Sequence, residues 1–133
     1  MFYKEFEVNG KMKRLKYDFN AIADIEELSG MGLAKLFSAE VLGLHTVRLL
    51  MWAGLKHEDH GITIQRAGLI IRDMMDEGYD FDSVLMLVVE ALSKCGVFPE
   101  NTFDGIKDMV NEGKEENPTL PENSERSPKK SKN

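Results

Sequence analysis

An Asn-Gly pair between two short stretches of alternating polarity is the feature that most constrains the fold of this chain. The stretch FYKEFEV places Phe6 and Val8 on one side of an extended strand, and KMKRLKY continues the alternation in the return direction. Asn9 and Gly10 lie between the two stretches, and both tolerate the positive φ that a two-residue hairpin turn requires. The sequence therefore predicts a β-hairpin over residues 2–17. An isolated hairpin is marginally stable in water, so this one must pack on the helices or on another copy.

After the hairpin the hydrophobic period changes from two residues to about 3.6, which predicts helices. The first helical segment places four apolar residues on one broad face, namely Phe19, Ile22, Ile25 and Leu28, and Gly30 suits a left-handed helix end. Further helices are predicted from Leu44 to Lys56, between Thr63 and Gly78, and from residue 81 to Gly96, with a short helix after Pro99. The predicted fold is mainly α with a small β element, an N-terminal β-hairpin followed by a bundle of four to five helices.

The length of 133 residues is typical of one domain. We predict a hairpin-plus-helical-bundle domain over residues 1–112. Residues 113–133 are rich in Pro, Ser, Asn and mixed charge and contain almost no apolar side chains. Such a segment cannot offset the entropy lost on ordering, so a disordered C-terminal tail is predicted.

Composition argues against several classes of function. The net charge is −6, whereas attraction to nucleic-acid phosphates requires a basic face. The basic end RSPKKSKN is short and is predicted to be a solvated tail.

The longest apolar run, Val84 to Val89, is far too short to span a membrane, and no signal-peptide pattern is present. A single cysteine, Cys95, excludes an internal disulfide and is predicted to be a buried thiol. We therefore expect a cytoplasmic protein that binds neither nucleic acid nor membrane.

Four consecutive ionisable residues, HEDH, are the sequence feature that most resembles a reaction centre. His57 and His60 are three residues apart, whereas a zinc-protease helix has two His four apart, and no second His or Cys pair completes a ligand set. His45 is the other histidine of the chain. We therefore predict no metal, no cofactor and no catalytic residue, and interpret the stretch as the polar link between two helices. On this reading the protein is not an enzyme.

The helix predicted from Leu44 to Lys56 is apolar on two sides. One stripe comprises Val47, Leu50, Met51, Gly54 and Leu55, and a second on nearly the opposite side comprises His45, Leu49, Trp52 and Lys56. A helix of this kind is either central in a bundle or covered by a partner as well as by its own core. The second stripe predicts a partner-binding face formed by His45, Leu49 and Trp52, because tryptophan is favoured at binding hot spots. The alternative, in which Trp52 belongs to the core, remains open.

Two stretches of the chain, LKYDFNAIADIEELSG and VRLLMWAGLKHEDHGITIQRAGLII, resemble the tail assembly chaperones of long-tailed, siphovirus-type bacteriophages and prophages. In that family a strand pair leads into F-x-x-x-A-x-x-x-x-E-x-x-x-G, which Phe19, Ala23, Leu28 and Gly30 match only approximately, with Glu26 or Glu27 in the acidic place. A later helix carries L-x-W-A-G-L and a polar break with T-x-x-x-x-G-x-L-I, matched by Leu50, Trp52, Ala53, Gly54 and Leu55 and then Thr63, Gly68, Ile70 and Ile71. The resemblance covers roughly residues 2–96.

This resemblance implies a non-enzymatic function. Proteins of this kind bind the tape measure protein, a long and largely helical chain, and are displaced as the tail tube polymerises around it. The expected partners are the tape measure protein, the tail tube protein as a further candidate, and other copies of the chain in a homo-oligomer. The expected location is the host bacterial cytoplasm, with the protein absent from the mature virion. A phage structural protein or head–tail adaptor, retained in the particle, is the alternative, and a small regulatory or DNA-associated domain is disfavoured by the acidity.

Overall fold

The computed structural model describes residues 2–38 and 41–116, and in these residues a two-stranded hairpin precedes the helices. The strands are β1 (Lys4–Val8) and β2 (Lys11–Leu15). The helices are α1 (Phe19–Ser29), α2 (Leu33–Leu36), α3 (Leu44–Leu55), α4 (Ile64–Asp76), α5 (Phe81–Ser93) and α6 (Asp104–Glu116), with a 3-10 turn over Glu100–Phe103 before α6. The predicted fold class, a hairpin followed by a mainly helical chain, is confirmed.

The hairpin turn has the backbone geometry that its sequence predicts. β1 and β2 are antiparallel, with Val8 paired to Lys11 beside the turn. Asn9 has φ 55° and Gly10 has φ 74°, the left-handed values that an Asn-Gly turn supplies with little strain. The turn is also attached to α4, because the backbone N–H of Asn9 donates to Glu77 at 2.8 Å and its side-chain amide donates to Asp73 at 2.9 Å. The hairpin therefore packs on the helices of its own chain.

Polar side chains cap the N-terminal ends of three helices, α1, α4 and α5. The carboxylate of Asp18 accepts from the N–H of Ala21 at 2.8 Å, and the hydroxyl of Thr63 accepts from the N–H of Arg66 at 3.0 Å. Asp80 caps α5 in the same way. These bonds satisfy N–H groups that have no partner inside a helix, so they fix where α1, α4 and α5 start.

The predicted inner face of α1 is partly wrong. Phe19 is 72% exposed and Leu28 is 57% exposed, whereas the buried residues of the helix are Ala21, Ile22 and Ile25. The buried strip is narrow and lies in the middle of the helix, where α1 packs on α3. Phe19 and Leu28 lie one turn before and after it, at the two ends of α1.

Helix α3 is the centre of the bundle, since it packs against α1, α4, α5 and β2. All five residues of its predicted inner stripe are buried, namely Val47, Leu50, Met51, Gly54 and Leu55. The hydroxyl of Tyr17, just after β2, donates to the carbonyl of Leu50 at 2.5 Å, and the N–H of Lys16 donates to the carbonyl of Gly54 at 3.0 Å. The end of β2 is thus bonded directly to the backbone of α3.

The chain divides into two compact units, residues 1–103 and 104–133. In the second unit the described residues form α6, and the predicted domain limit at residue 112 falls within this helix. Residues 117–133 of the predicted disordered tail lie outside the described residues, so that assignment stays a prediction. In the first unit Cys95 is a buried free thiol, as predicted. No helix in the described part of the chain is long and apolar enough to cross a membrane.

Candidate functional site

The HEDH stretch forms the link between α3 and α4 and is bonded to the hairpin. The Nε2 of His57 lies 2.8 Å from the backbone carbonyl of Arg14, which can only accept, so that nitrogen is the donor. The carboxylate of Glu58 lies 3.4 Å from the guanidinium of Arg14, which also pairs with Glu5 at 3.2 Å. Within residues 2–38 and 41–116, the described side chains include no group of three or more His, Cys, Asp or Glu arranged to hold a metal ion. Two members of the stretch therefore attach the α3–α4 link to β2.

Trp52 lies against this link rather than in the centre of the core. Its side chain is half-buried, and its indole N–H donates to the carbonyl of Ile62 at 2.9 Å. The ammonium of Lys56 lies 4.4 Å from the centroid of the indole ring and also pairs with Asp24 of α1. These contacts connect α3 to the start of α4 and to α1, so Trp52 has a structural role whether or not a partner also contacts it.

The other two residues of the predicted face, His45 and Leu49, lie in an apolar groove with a volume of about 340 Å³. We call it the Leu28 groove. Four elements and their connections supply its lining, which consists of Leu28, Ser29, Met31, Leu36, His45, Thr46, Leu49 and Ile64. Leu36 is buried, Leu49 and Ile64 are half-buried, and His45 is exposed. The hydroxyl of Thr46 donates to the carbonyl of Val41 at 2.9 Å, so one polar group of the lining already has a partner.

The structure brings together two of the three predicted face residues. His45 and Leu49 share the Leu28 groove, whereas Trp52 lies one turn further along α3 and is not among the described residues that line it. Sequence reasoning missed Leu28, Met31 and Ile64 as members of this site. The helical spacing predicts Leu28 on the inner face of α1. The available signal was the position of Leu28 and Met31 on either side of the Gly30 helix end, where the chain turns back towards α2.

The lining of the Leu28 groove suits binding better than catalysis. Five of its eight lining residues are Leu, Ile or Met, and the other three are Ser29, His45 and Thr46. Grooves lined by apolar side chains from several helices accept the apolar face of an amphipathic helix, whose side chains insert at intervals of three and four residues. Comparison of the chain with protein-family models, curated proteins and solved structures found no significant match.

Proposed function

We propose that this protein is a tail assembly chaperone of a long-tailed bacteriophage or prophage, and that it binds helical segments of the tape measure protein through the Leu28 groove. The observation that carries the proposal is an exposed apolar groove at the position where the second stripe of α3 predicted a partner-binding face. A chaperone for a long helical chain needs such a surface, because it must cover apolar helix faces until the tail tube replaces it.

The motifs that resemble the family support the fold more directly than the function. Ala53, Gly54 and Leu55 are buried core residues of α3, and Thr63 caps α4. Residues with such roles would recur in any protein with this arrangement of helices. The exposed groove therefore supports binding, and the sequence resemblance supports the tape measure protein as the partner.

Leu28 provides a sharp test because its side chain is at the edge of the groove and is 57% exposed. Met12, on the outer face of the hairpin, is also 57% exposed and serves as a matched control. Leu28→Gln and Met12→Gln each remove an exposed apolar side chain, so neither should lower the melting temperature by more than about 2 °C, consistent with surface changes of about 0.5 kcal/mol.

Each variant is co-expressed with the tape measure protein encoded in the same genome, and the soluble complex is purified. We expect Leu28→Gln to reduce recovery of the complex at least threefold, whereas Met12→Gln should match the unchanged protein. Equal recovery for all three proteins would show that the groove is not the binding site. Absence of any soluble complex with the unchanged protein would contradict the proposed function.

Mass spectrometry of purified particles separates the chaperone from a structural or adaptor protein. A chaperone is present in infected or induced cells and absent from particles, whereas an adaptor is present in particles at a fixed ratio to the tail or head proteins. Recovery of this chain from purified particles at a stoichiometric level would favour the adaptor.

A further inference from the structure

A second groove is lined by α3 and α4 and has a different chemistry. It has a volume of about 280 Å³ and is lined by Leu44, Arg48, Gly68, Ile71, Arg72 and Met75. We call it the Arg48 groove. Leu44, at the start of α3, is 62% exposed and shares the groove with Met75, near the end of α4, so the two helices run antiparallel along it. The volume is slightly below the range of about 300–1,000 Å³ typical of small-molecule pockets, and therefore suits the anchoring side chains of a larger partner.

Arginine supplies the polar groups of this groove. The Nε–H of Arg48 is buried and has no hydrogen-bond partner among the described residues. A buried donor without a partner is unfavourable, and an acceptor that reached it on binding would remove that penalty. The aliphatic stem of Arg48 packs against Gly68, where an added Cβ would lie 3.0 Å from the Arg48 Cδ. Gly68 therefore leaves the space in which the arginine stem lies.

The second arginine is available at the edge of the groove. The side chain of Arg72 is 67% exposed, and its Nη2 lies 3.6 Å from the carboxylate of its sequence neighbour Asp73. That carboxylate also accepts from the side chain of Asn9. Among the described residues, none of those that line the groove is acidic. Two guanidinium groups thus flank an apolar floor in a chain whose net charge is −6.

We propose that the Arg48 groove binds an acidic amphipathic helix of a partner protein, with apolar side chains seated against Leu44, Ile71 and Met75 and carboxylates paired with Arg48 and Arg72. The charge of the groove selects this partner, because arginine pairs with carboxylates through two parallel hydrogen bonds and excludes basic helices by like-charge repulsion. The groove is separate from the Leu28 groove, and this inference does not depend on the phage function.

Three synthetic helical peptides test the charge requirement. They share one Leu/Ile stripe and differ only at the flanking positions, which are all Glu, all Gln or all Lys. Each is titrated into isotopically labelled protein, and backbone amide shifts give both the binding site and Kd. We expect the Glu peptide to shift residues 44–48 and 68–75 and to bind at least about tenfold more tightly than the Lys peptide. Its affinity should decrease with added salt, since exposed charge pairs are screened.

Arg72→Gln and Arg66→Gln form a matched pair of variants, because both residues are exposed on α4 and only Arg72 lines the groove. We expect Arg72→Gln to lower the affinity for the Glu peptide about three- to tenfold, and Arg66→Gln to leave this affinity unchanged. Arg48→Gln should weaken it further, with melting curves recorded to verify folding.

Several results would overturn the proposal. Equal affinities for the three peptides would show that the groove does not select acidic helices. Equal effects of Arg72→Gln and Arg66→Gln would show that the peptide does not bind in the Arg48 groove. If the Glu peptide shifted the backbone amides of the protein around Leu28 and Leu49 instead, it would bind in the Leu28 groove. Failure of the Glu peptide to bind at millimolar concentration would also reject the site.

Discussion

Gly54 is the residue at which the sequence motif and the packing of the hairpin are most directly connected. A Cβ at this position would lie 2.8 Å from Leu15 Cδ2 and 2.8 Å from Cζ and Oη of Tyr17. Contacts this short require the neighbours to move, and both neighbours are fully buried side chains in a close-packed interior. The glycine in the W-A-G-L stretch is therefore explained by the close approach of β2 to α3.

Gly54→Ala should lower the free energy of unfolding by about 1–3 kcal/mol, which is typical of overpacking, although alanine is the better helix former by about 0.5–1 kcal/mol. Gly105→Ala in α6 is the control, because a Cβ there meets nothing within 4 Å. Urea denaturation measures both. A stable Gly54→Ala protein would show that the hairpin can shift on α3 with little cost.

Tyr17 makes stability depend on alkaline pH. Burial raises the pKa of its phenol well above the ordinary value of about 10, and its hydroxyl donates to Leu50. The folded state keeps the proton where the unfolded chain releases it, so the contribution of Tyr17 is fully present below about pH 10 and is lost progressively above it.

We expect the free energy of unfolding to decrease between about pH 10 and pH 11.5, and the slope to be smaller in Tyr17→Phe. The variant should also lose about 0.5–1.5 kcal/mol at neutral pH, because the hydrogen bond from the Tyr17 hydroxyl to the Leu50 carbonyl is removed. Denaturant titrations over this pH range test both effects, and an unchanged alkaline slope in Tyr17→Phe would assign the pH dependence to other groups.

At the scale of elements, local sequence signals predicted turns and helix ends. Long-range packing determined which face of each helix is buried. The Asn9-Gly10 turn and the Gly30 helix end could be predicted because each needs particular residues at a particular place in the chain. The buried face of α1 was predicted only in part. Phe19 and Leu28 share the apolar spacing of Ile22 and Ile25 but are exposed, because burial depends on which other elements pack on each turn of α1, and the local sequence does not specify this.

Thr63→Ala should destabilise the protein by about 0.5–2 kcal/mol, because the N–H of Arg66 loses its side-chain acceptor. Thr63→Ser keeps the hydroxyl and should remain within about 0.5 kcal/mol of the unchanged protein. Thermal melts of the two variants provide the comparison. Equal melting temperatures for the alanine and serine variants would mean that the cap contributes nothing measurable to α4.

At the scale of the whole molecule, the sequence predicts the class of fold better than it predicts the binding surface. Two residues of the second stripe of α3, His45 and Leu49, line the Leu28 groove, and the third, Trp52, does not. Most of the remaining lining comes from α1, α2, α4 and the α1–α2 connection. The Arg48 groove depends on Gly68 of α4 leaving room for the side chain of Arg48 on the neighbouring helix α3. Surfaces assembled from separated segments leave no periodic signal in any one of them.

Folding and binding can be separated at Trp52. Trp52→Phe keeps an aromatic ring but removes the indole N–H that donates to Ile62, so the α3–α4 link loses a hydrogen bond that is part-buried. We expect this change to lower the free energy of unfolding by about 1 kcal/mol and to leave capture of the tape measure protein unchanged. Leu49→Gln, in the Leu28 groove, should reduce capture at least threefold in the protein that remains folded. Melting curves and co-purification are measured on the same samples. If Trp52→Phe weakened capture without changing the melting temperature, the indole itself would belong to the binding face, and the surface would extend along α3 beyond the Leu28 groove.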